Sequence, residues 1–535
     1  MKKFILTSLC VLFSAAAVCA GADEPLANDG KRGLYAKSLE QVLRLREDEV
    51  DLATAALIVS EYWSDLVYGR RYLSRLDDMA FEIRDRLKAA GLPTDHRAIR
   101  VINEYLFKEL GFASVPEISD PNDLFLHSVL DKKRGYCLSL SILYLAIAER
   151  LGLPVYGVVA PGHFFVRYDD GQVRFNIETT SAGGTADDEH YIEKFKVPQT
   201  RRDSIYMQNL NKIQTLGCLL NNLGNTYSEV GNIDSALTAL ERAVQINPSL
   251  AESHMNLGNI YLRKGRVNDA IYEYRSALKI KPDDAKSHLN LGNAYTERGW
   301  LRDAIDEYHL SLKLDANIID TYKNLATAYC KQEMFGQAIG QLRRAIALQP
   351  KDSSLYSWLG DVYRQMGDCE KAIPQYEKAL AMKSDLALAY YGLGLCYNKM
   401  GLLDDEIEQY RRVLYIEPDM LGALVNLGNA YVRKEKFDAA IEQYDKAIQI
   451  KPDDATIYYN LGTAYINKGN YQKAVAEYRE AIRLEPSMGD AHNGLAYGYY
   501  RLEKYNLALE HIRIAQELGV AVDEKLLAAI QDRVR

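Results

Sequence analysis

Cys137, His163 and Glu178 are the residues whose types and order ask for covalent chemistry. A thiol needs a base to take its proton, an imidazole serves as that base near neutral pH, and a carboxylate behind it fixes the tautomer and supports the positive form. Cys137 follows Arg134-Gly135-Tyr136 and opens an apolar run to Leu151 that stops at Gly152-Leu153-Pro154, which places the thiol at the start of a helix. There the unpaired N–H groups and the positive dipole end favour a thiolate, and Arg134 adds to that field. His163 begins an extended run after the Pro161-Gly162 turn, and Glu178 closes the next one, after the hairpin-type turn Asp169-Asp170-Gly171. The main-chain N–H of Cys137 is the first oxyanion donor, and the second stays open.

The elements that must position this trio are helix, strand and strand, in the order nucleophile, base, carboxylate. GYCLSLSILYLAIAERLGLP at 135–154 and PGHFFVRY at 161–168 resemble the transglutaminase-like superfamily, within it the branch often joined to tetratricopeptide repeats. The resemblance covers about 40–200. It implies an α+β domain with helices packed on an antiparallel sheet, and a papain-type triad of Cys137, His163 and Glu178 acting on an amide or related acyl group through a thioester. The superfamily usually has Asp where Glu178 stands, so the same charge is carried on one more methylene. Many members of this branch lack the Cys, and this chain has it.

From Gly217 a 34-residue period holds through 522, giving nine units. Position 7 is Leu from Leu223 to Leu495, position 11 is Tyr from Tyr227 to Tyr499, and position 20 is Ala in eight units, with Glu406 the exception. This is the tetratricopeptide pattern. Each helix pair has one apolar face and too little area to fold alone, so units stack into an all-α superhelix whose first helices line the concave side. Asn222, Asn256, Asn290, Asn324, Asn426 and Asn460 recur at position 6, and Asn225, Asn259, Asn293 and Asn429 at position 9, on the face away from the core. A ladder of amides suits an extended peptide backbone. The same asparagines equally suit hydrogen bonds between repeats.

At 535 residues the chain exceeds one core. Its net charge of -8 offers no footprint for nucleic acid or an anionic membrane surface. Met1-Lys2-Lys3, the apolar run Phe4 to Val18 and the small residues beyond it read as a secretory signal, so the mature protein is expected in the periplasm or outside the cell. Lipid attachment at Cys19 is the lesser alternative, because Val18 is not small. No later run is long enough to span a bilayer. After Cys10 and Cys19 are removed, Cys137, Cys218, Cys330, Cys369 and Cys396 remain, with neither a disulfide framework nor zinc-ligand spacing. No metal or other cofactor is expected.

The expected organisation is a signal at 1–22, a transglutaminase-like domain at 23–202, a linker at 203–216, nine repeats at 217–522 and a capping helix at 523–535. The functional expectation is a cysteine amidase, peptidase or acyltransferase tethered to a solenoid that holds a protein or peptide. The alternative is a scaffold with an idle domain.

Overall fold

The computed structural model describes residues 36–63, 67, 69–115, 120–195, 197 and 205–534. The expected signal segment, with Cys19, lies outside the described residues. The chain divides into two compact units, residues up to 294 and residues 295–535.

The first unit opens with helices α1 (Leu39–Val42), α2 (Leu52–Trp63), α3 (Gly69–Ala89) and α4 (Ala98–Asn103). A two-residue strand β1 (Ala113–Ser114) follows, then α5 (Leu126–Lys132) and β2 (Arg134–Gly135), which pairs in parallel with β1. Helix α6 (Cys137–Leu151) is apolar around almost its whole circumference and buried from Cys137 through Ala148. Such a helix can be stable only at the centre, and α2, α3 and α5 pack around it on the sides the sheet leaves open. Gly152 ends it at φ 73°, in the left-handed region.

Four antiparallel strands form the sheet in the order β3 (Val155–Ala160), β4 (His163–Asp169), β5 (Arg174–Glu178) and β6 (Gly184–Ala186). Ala160 pairs with His163 across the turn, and Val166 pairs with Ile177. Helix α7 (Asp188–Lys194) then lays Tyr191 against Val158, Ala160 and Phe165. The antiparallel sheet with helices packed on it is the α+β arrangement read from the sequence.

From residue 205 onward the segment expected as a linker, 203–216, carries structure. Met207 N–H donates to the Val159 carbonyl at 3.0 Å and Leu210 N–H to the Gly157 carbonyl at 2.8 Å, so this segment occupies the outer edge of β3. An unpaired strand edge needs such a partner. Helix α8 (Lys212–Glu229) then starts ahead of the 34-residue phase, because Asn211 and Gln214 cap each other at 3.0 and 2.7 Å. Gly157 permits the close approach: a Cβ there would lie 2.6 Å from the Phe164 ring and 2.9 Å from Thr215 Oγ1. Helices α9 (Ile233–Ile246), α10 (Ala251–Arg263) and α11 (Val267–Ile280) complete the first two helical hairpins.

Nine such hairpins run from Lys212 to Glu517 among the described residues, the all-α tetratricopeptide pattern read from the sequence. Their packing rule is visible in Gly258, where an added Cβ would meet the Tyr274 ring at 2.6 Å. His288 Nε2 donates to the Pro282 carbonyl at 2.9 Å, and Tyr356 hydroxyl to the Pro350 carbonyl at 3.2 Å, so the helix-ending prolines also anchor the following helix. In the second unit, Tyr478, Leu495 and Ile512 share a core with Ile530 of the last helix, Glu524–Val534.

Candidate active site

Tyr136 is the N-cap of α6, with extended backbone, and its N–H donates to Ser139 Oγ at 2.9 Å. Cys137 is therefore the first helical residue, as its sequence context requires. The residue is 5% exposed. The surroundings of the sulfur oppose the thiolate that the helix start favours. Burial pushes this thiol up to about 12, while hydrogen bonds from the N–H groups of Phe164 and Leu138 and from the Tyr136 hydroxyl pull the other way. Desolvation outweighs the helix dipole because the sulfur is enclosed on nearly every side. Arg134 is exposed and is not among the groups acting on the sulfur.

His163 Nε2 and Glu178 Oε2 lie 2.7 Å apart. The other carboxylate oxygen accepts from Thr180 N–H at 3.1 Å and from Thr180 hydroxyl at 2.5 Å, and Tyr191 hydroxyl reaches Oε2 at 3.2 Å. Burial disfavours the charged form of Glu178, but the pairing with His163 and the Thr180 donors together hold the carboxyl below its ordinary range. The imidazole plane is set by Phe195, stacked at 4.7 Å between centroids and 8° between planes. Thr179 hydroxyl donates to the Cys137 carbonyl at 3.4 Å, so the turn after Glu178 also touches the start of α6. The longer Glu side chain thus reaches the imidazole, where the superfamily pattern has Asp.

Cys137 and His163 line one cavity of about 490 Å³. Tyr136, Phe164 and Gly162 share that side. The facing wall comes from the repeats: Asn222, Asn225 and Glu229 of α8, and Glu252, Met255 and Asn256 of α10. The sequence separated the chemical site from the repeat surface, and the first unit merges them.

Three of the ten candidate groove asparagines reach this cavity, namely Asn222, Asn225 and Asn256. Their amides are also engaged within the repeats. Asn256 Nδ2 donates to Asn221 Oδ1 at 3.1 Å, and Asn225 Nδ2 to Glu229 Oε1 at 2.8 Å. Beyond the cavity, Asn290 Nδ2 donates to Asn259 Oδ1 at 3.0 Å, and Tyr274 hydroxyl to the same oxygen at 2.8 Å. Asn293 and Asn324 also have partners. In the second unit Asn426 donates to Tyr391 hydroxyl at 3.1 Å and Asn429 accepts from Tyr444 hydroxyl at 2.7 Å; Asn460 sits at the equivalent repeat position. The bonds of Asn256, Asn290 and Asn426 cross between repeats, the role that the sequence left open beside peptide binding, while those of Asn225 with Glu229, Asn259 with Tyr274 and Asn429 with Tyr444 stay within one repeat.

Several functional contacts had no place in the sequence reading. Tyr136 and Thr180 lie within two residues of Cys137 and Glu178, so adjacency was the available signal. Phe195 and Glu252 become neighbours of the site only through the fold. Among the described residues, no group of three or more His, Cys, Asp or Glu side chains is arranged to hold a metal ion, and no helix is long and apolar enough to cross a membrane.

Comparison with known proteins places two assignments on this geometry. The model of the transglutaminase-like superfamily matches residues 70–221, running past the sheet into α8. Tetratricopeptide repeat models match 224–265, 258–299, 360–401 and 428–469, and also 387–420 and 455–488. A UPF0162 protein of Xylella fastidiosa is 27% identical over 218 residues, covering 38% of this chain and 73% of that protein. F-box only protein 21 of Homo sapiens is 29% identical over 99 residues, covering 18% of this chain and 16% of that protein. Among solved structures, MamA is 33% identical, covers 30% of this chain and 95% of its own, and has a TM-score of 0.28.

Proposed function

We propose that this chain, a transglutaminase-like domain followed by tetratricopeptide repeats, is an exported cysteine acyl-transfer enzyme whose first repeats form the second wall of its active site. The observation that carries the reading is the shared cavity: the thiol of Cys137, hydrogen-bonded by the N–H next to His163, opens onto the same space as the imidazole that Glu178 holds.

The chemistry follows from the protonation states. The resting thiol is neutral because it is buried, so the nucleophile forms only when His163 takes its proton. The sulfur then bonds to the carbonyl carbon of an amide, the C=O electron pair moves onto oxygen, and the Cys137 N–H and Tyr136 hydroxyl receive that oxyanion. Collapse breaks the C–N bond, and the departing nitrogen leaves with the proton from His163. Glu178 supports the imidazolium between these transfers. Water or an amine releases the acyl group from the thioester, giving hydrolysis or acyl transfer.

The asparagines at the cavity suit an extended segment, whose backbone needs donors and acceptors on both sides. Further along, the repeats offer a protein or peptide docking surface. The basic start and apolar run of residues 1–18 support export.

The test is incubation of the full chain with a peptide library containing side-chain amides. Products should show ammonia release, new termini or amide cross-links that Cys137→Ala and His163→Ala both fail to generate. A library left unchanged by the native chain, or changed equally by Cys137→Ala, would overturn the proposal.

A further inference from the structure

Position 4 of the last repeat is His492 and position 23 is His511. In the second repeat the same positions hold His254 and Glu273, with Nδ1 and Oε2 2.6 Å apart. The fourth to seventh repeats have glutamine at position 23, as Gln341, Gln375, Gln409 and Gln443. Only the last of the nine units places histidine at both positions.

The two rings meet through Nδ1 atoms 3.0 Å apart, with 5.2 Å between centroids. His492 Nε2 donates to the Pro486 carbonyl at 3.3 Å. A neutral imidazole has one N–H, so His492 Nδ1 carries a lone pair and His511 supplies the hydrogen between the rings. His492 is buried, and His511 is half-buried and stacked on Tyr499 at 5.7 Å between centroids.

An extra proton has no favourable place in this arrangement. One puts a charge into a shielded site, and a second turns two N–H groups toward each other across 3.0 Å and adds like charges. The groups around His511 do not offset this. Arg479, on the helix Tyr471–Leu484, has the same sign as a protonated ring. Glu510, beside His511 on the helix Tyr505–Glu517, is the one carboxylate acting on it among the described residues, and it is exposed. Tyr499, on the helix Gly489–Arg501, offers a neutral ring, and the last helix, Glu524–Val534, adds no charged group among the described residues. Burial first, then His492 and Arg479, hold His511 below its ordinary 6.5.

We propose that the His492–His511 contact is an acid-sensitive latch, which keeps the last hairpin and the capping helix closed at neutral pH and releases them in mildly acidic surroundings while the earlier repeats stay folded. It is independent of the chemistry at Cys137. Its place at the end of the array makes release local. An inner repeat is held by neighbours on both sides, and the last one by a single repeat and the final helix. Release uncovers Ile512 and Ile530, both fully buried. The sign follows from the proton count: in the open form each imidazole titrates near its ordinary 6.5, whereas the closed form takes the proton only at lower pH. The stability of the hairpin is therefore complete above about 6.5 and falls as pH drops from there toward the lower folded value. In the second repeat the Glu273 carboxylate faces the imidazole, so a protonated ring there meets an opposite charge.

Amide hydrogen exchange of the full chain at about pH 7.5 and about pH 5.5, corrected for intrinsic rates, tests the latch. Protection of 489–534 should fall about tenfold, the change expected when one proton enters at ~6.5 only in the open form. Residues 251–280 should keep theirs. His511→Gln installs the residue that the fourth repeat has at this position, and His511→Glu the one that the second repeat has; both should abolish the loss. Unchanged protection of 489–534 in the native chain would overturn the proposal, as would an equal fall throughout the repeats. A loss that persists undiminished in folded His511→Gln would overturn the assignment to this pair. The native profile alone separates the latch from general acid unfolding, so a variant that fails to fold does not remove the test.

Discussion

Arg167, fully buried in the sheet, donates to the Met207 carbonyl at 2.7 Å and so ties the edge segment 205–210 to β4. The same guanidinium reaches Asn176 Oδ1 at 2.7 Å and Asp188 Oδ1 at 2.6 Å. Tyr206 in that segment holds Glu252 of α10, so one buried cation helps to fix the far wall of the cavity beside Cys137. Arg167→Met leaves several of these acceptors without a donor and should lower stability by about 3 kcal/mol. Hydrogen exchange should quicken at the Met207 and Leu210 amides. Unchanged exchange there would show that the edge segment holds without Arg167.

The Glu178 carboxyl gives a pH signature of its pairing with His163. Its folded value is depressed below the ordinary 4.5, so its contribution to stability is fully present above that pH and is lost as pH falls through the lower folded value. Glu178→Gln has no such proton to take up. Thermal stability of the variant should therefore depend less on pH below about 4.5 than that of the native chain. Parallel profiles would mean that His163 and Thr180 do not hold the carboxylate in its charged form.

Glu406 replaces the alanine found at position 20 of the other eight repeats. Its Oε1 accepts from Arg433 at 2.6 Å and from Asn398 at 2.8 Å, whereas its buried Oε2 has no partner among the described residues. Removing Arg433 strands a buried carboxylate, but removing Glu406 releases a side chain that is already 43% exposed. Arg433→Ala should thus be destabilising by about 3 kcal/mol, and Glu406→Ala by clearly less. Thermal unfolding of the two variants decides this, and the reverse order would contradict it.

The placement of Cys137, His163 and Glu178, each at the end of an element, was legible because helix stop signals and hairpin turns are local. The repeats were legible because the 34-residue period shows in single positions such as Leu223 to Leu495. The state of the thiol was not legible. The helix start at Cys137 favours a thiolate, but the desolvation that reverses this comes from packing that spacing does not display. The composition of the far wall was equally hidden. Glu252 and Asn256 line the cavity beside residues 205–210 docked on β3, and a stretch of six residues is too short to show a period that tells it from a linker.

The central claim is that Cys137 is activated by His163 inside this cavity, and Cys218 provides the internal control. Both thiols line the cavity, and burial raises both to about 12. Cys218 has Asn247 Nδ2 beside its sulfur at 3.9 Å and the charge of Glu252 against it, in place of an imidazole held by a carboxylate. The measurement is competitive alkylation of the native full chain by limiting iodoacetamide at about pH 6.5, where an ordinary thiol of pKa near 8.5 is almost wholly protonated. Cys137 is predicted to react ahead of Cys218, and also ahead of Cys330, Cys369 and Cys396, with His163→Ala removing most of that lead and Glu178→Gln part of it. Cys137 reacting no faster than Cys218 in the native chain would contradict the account.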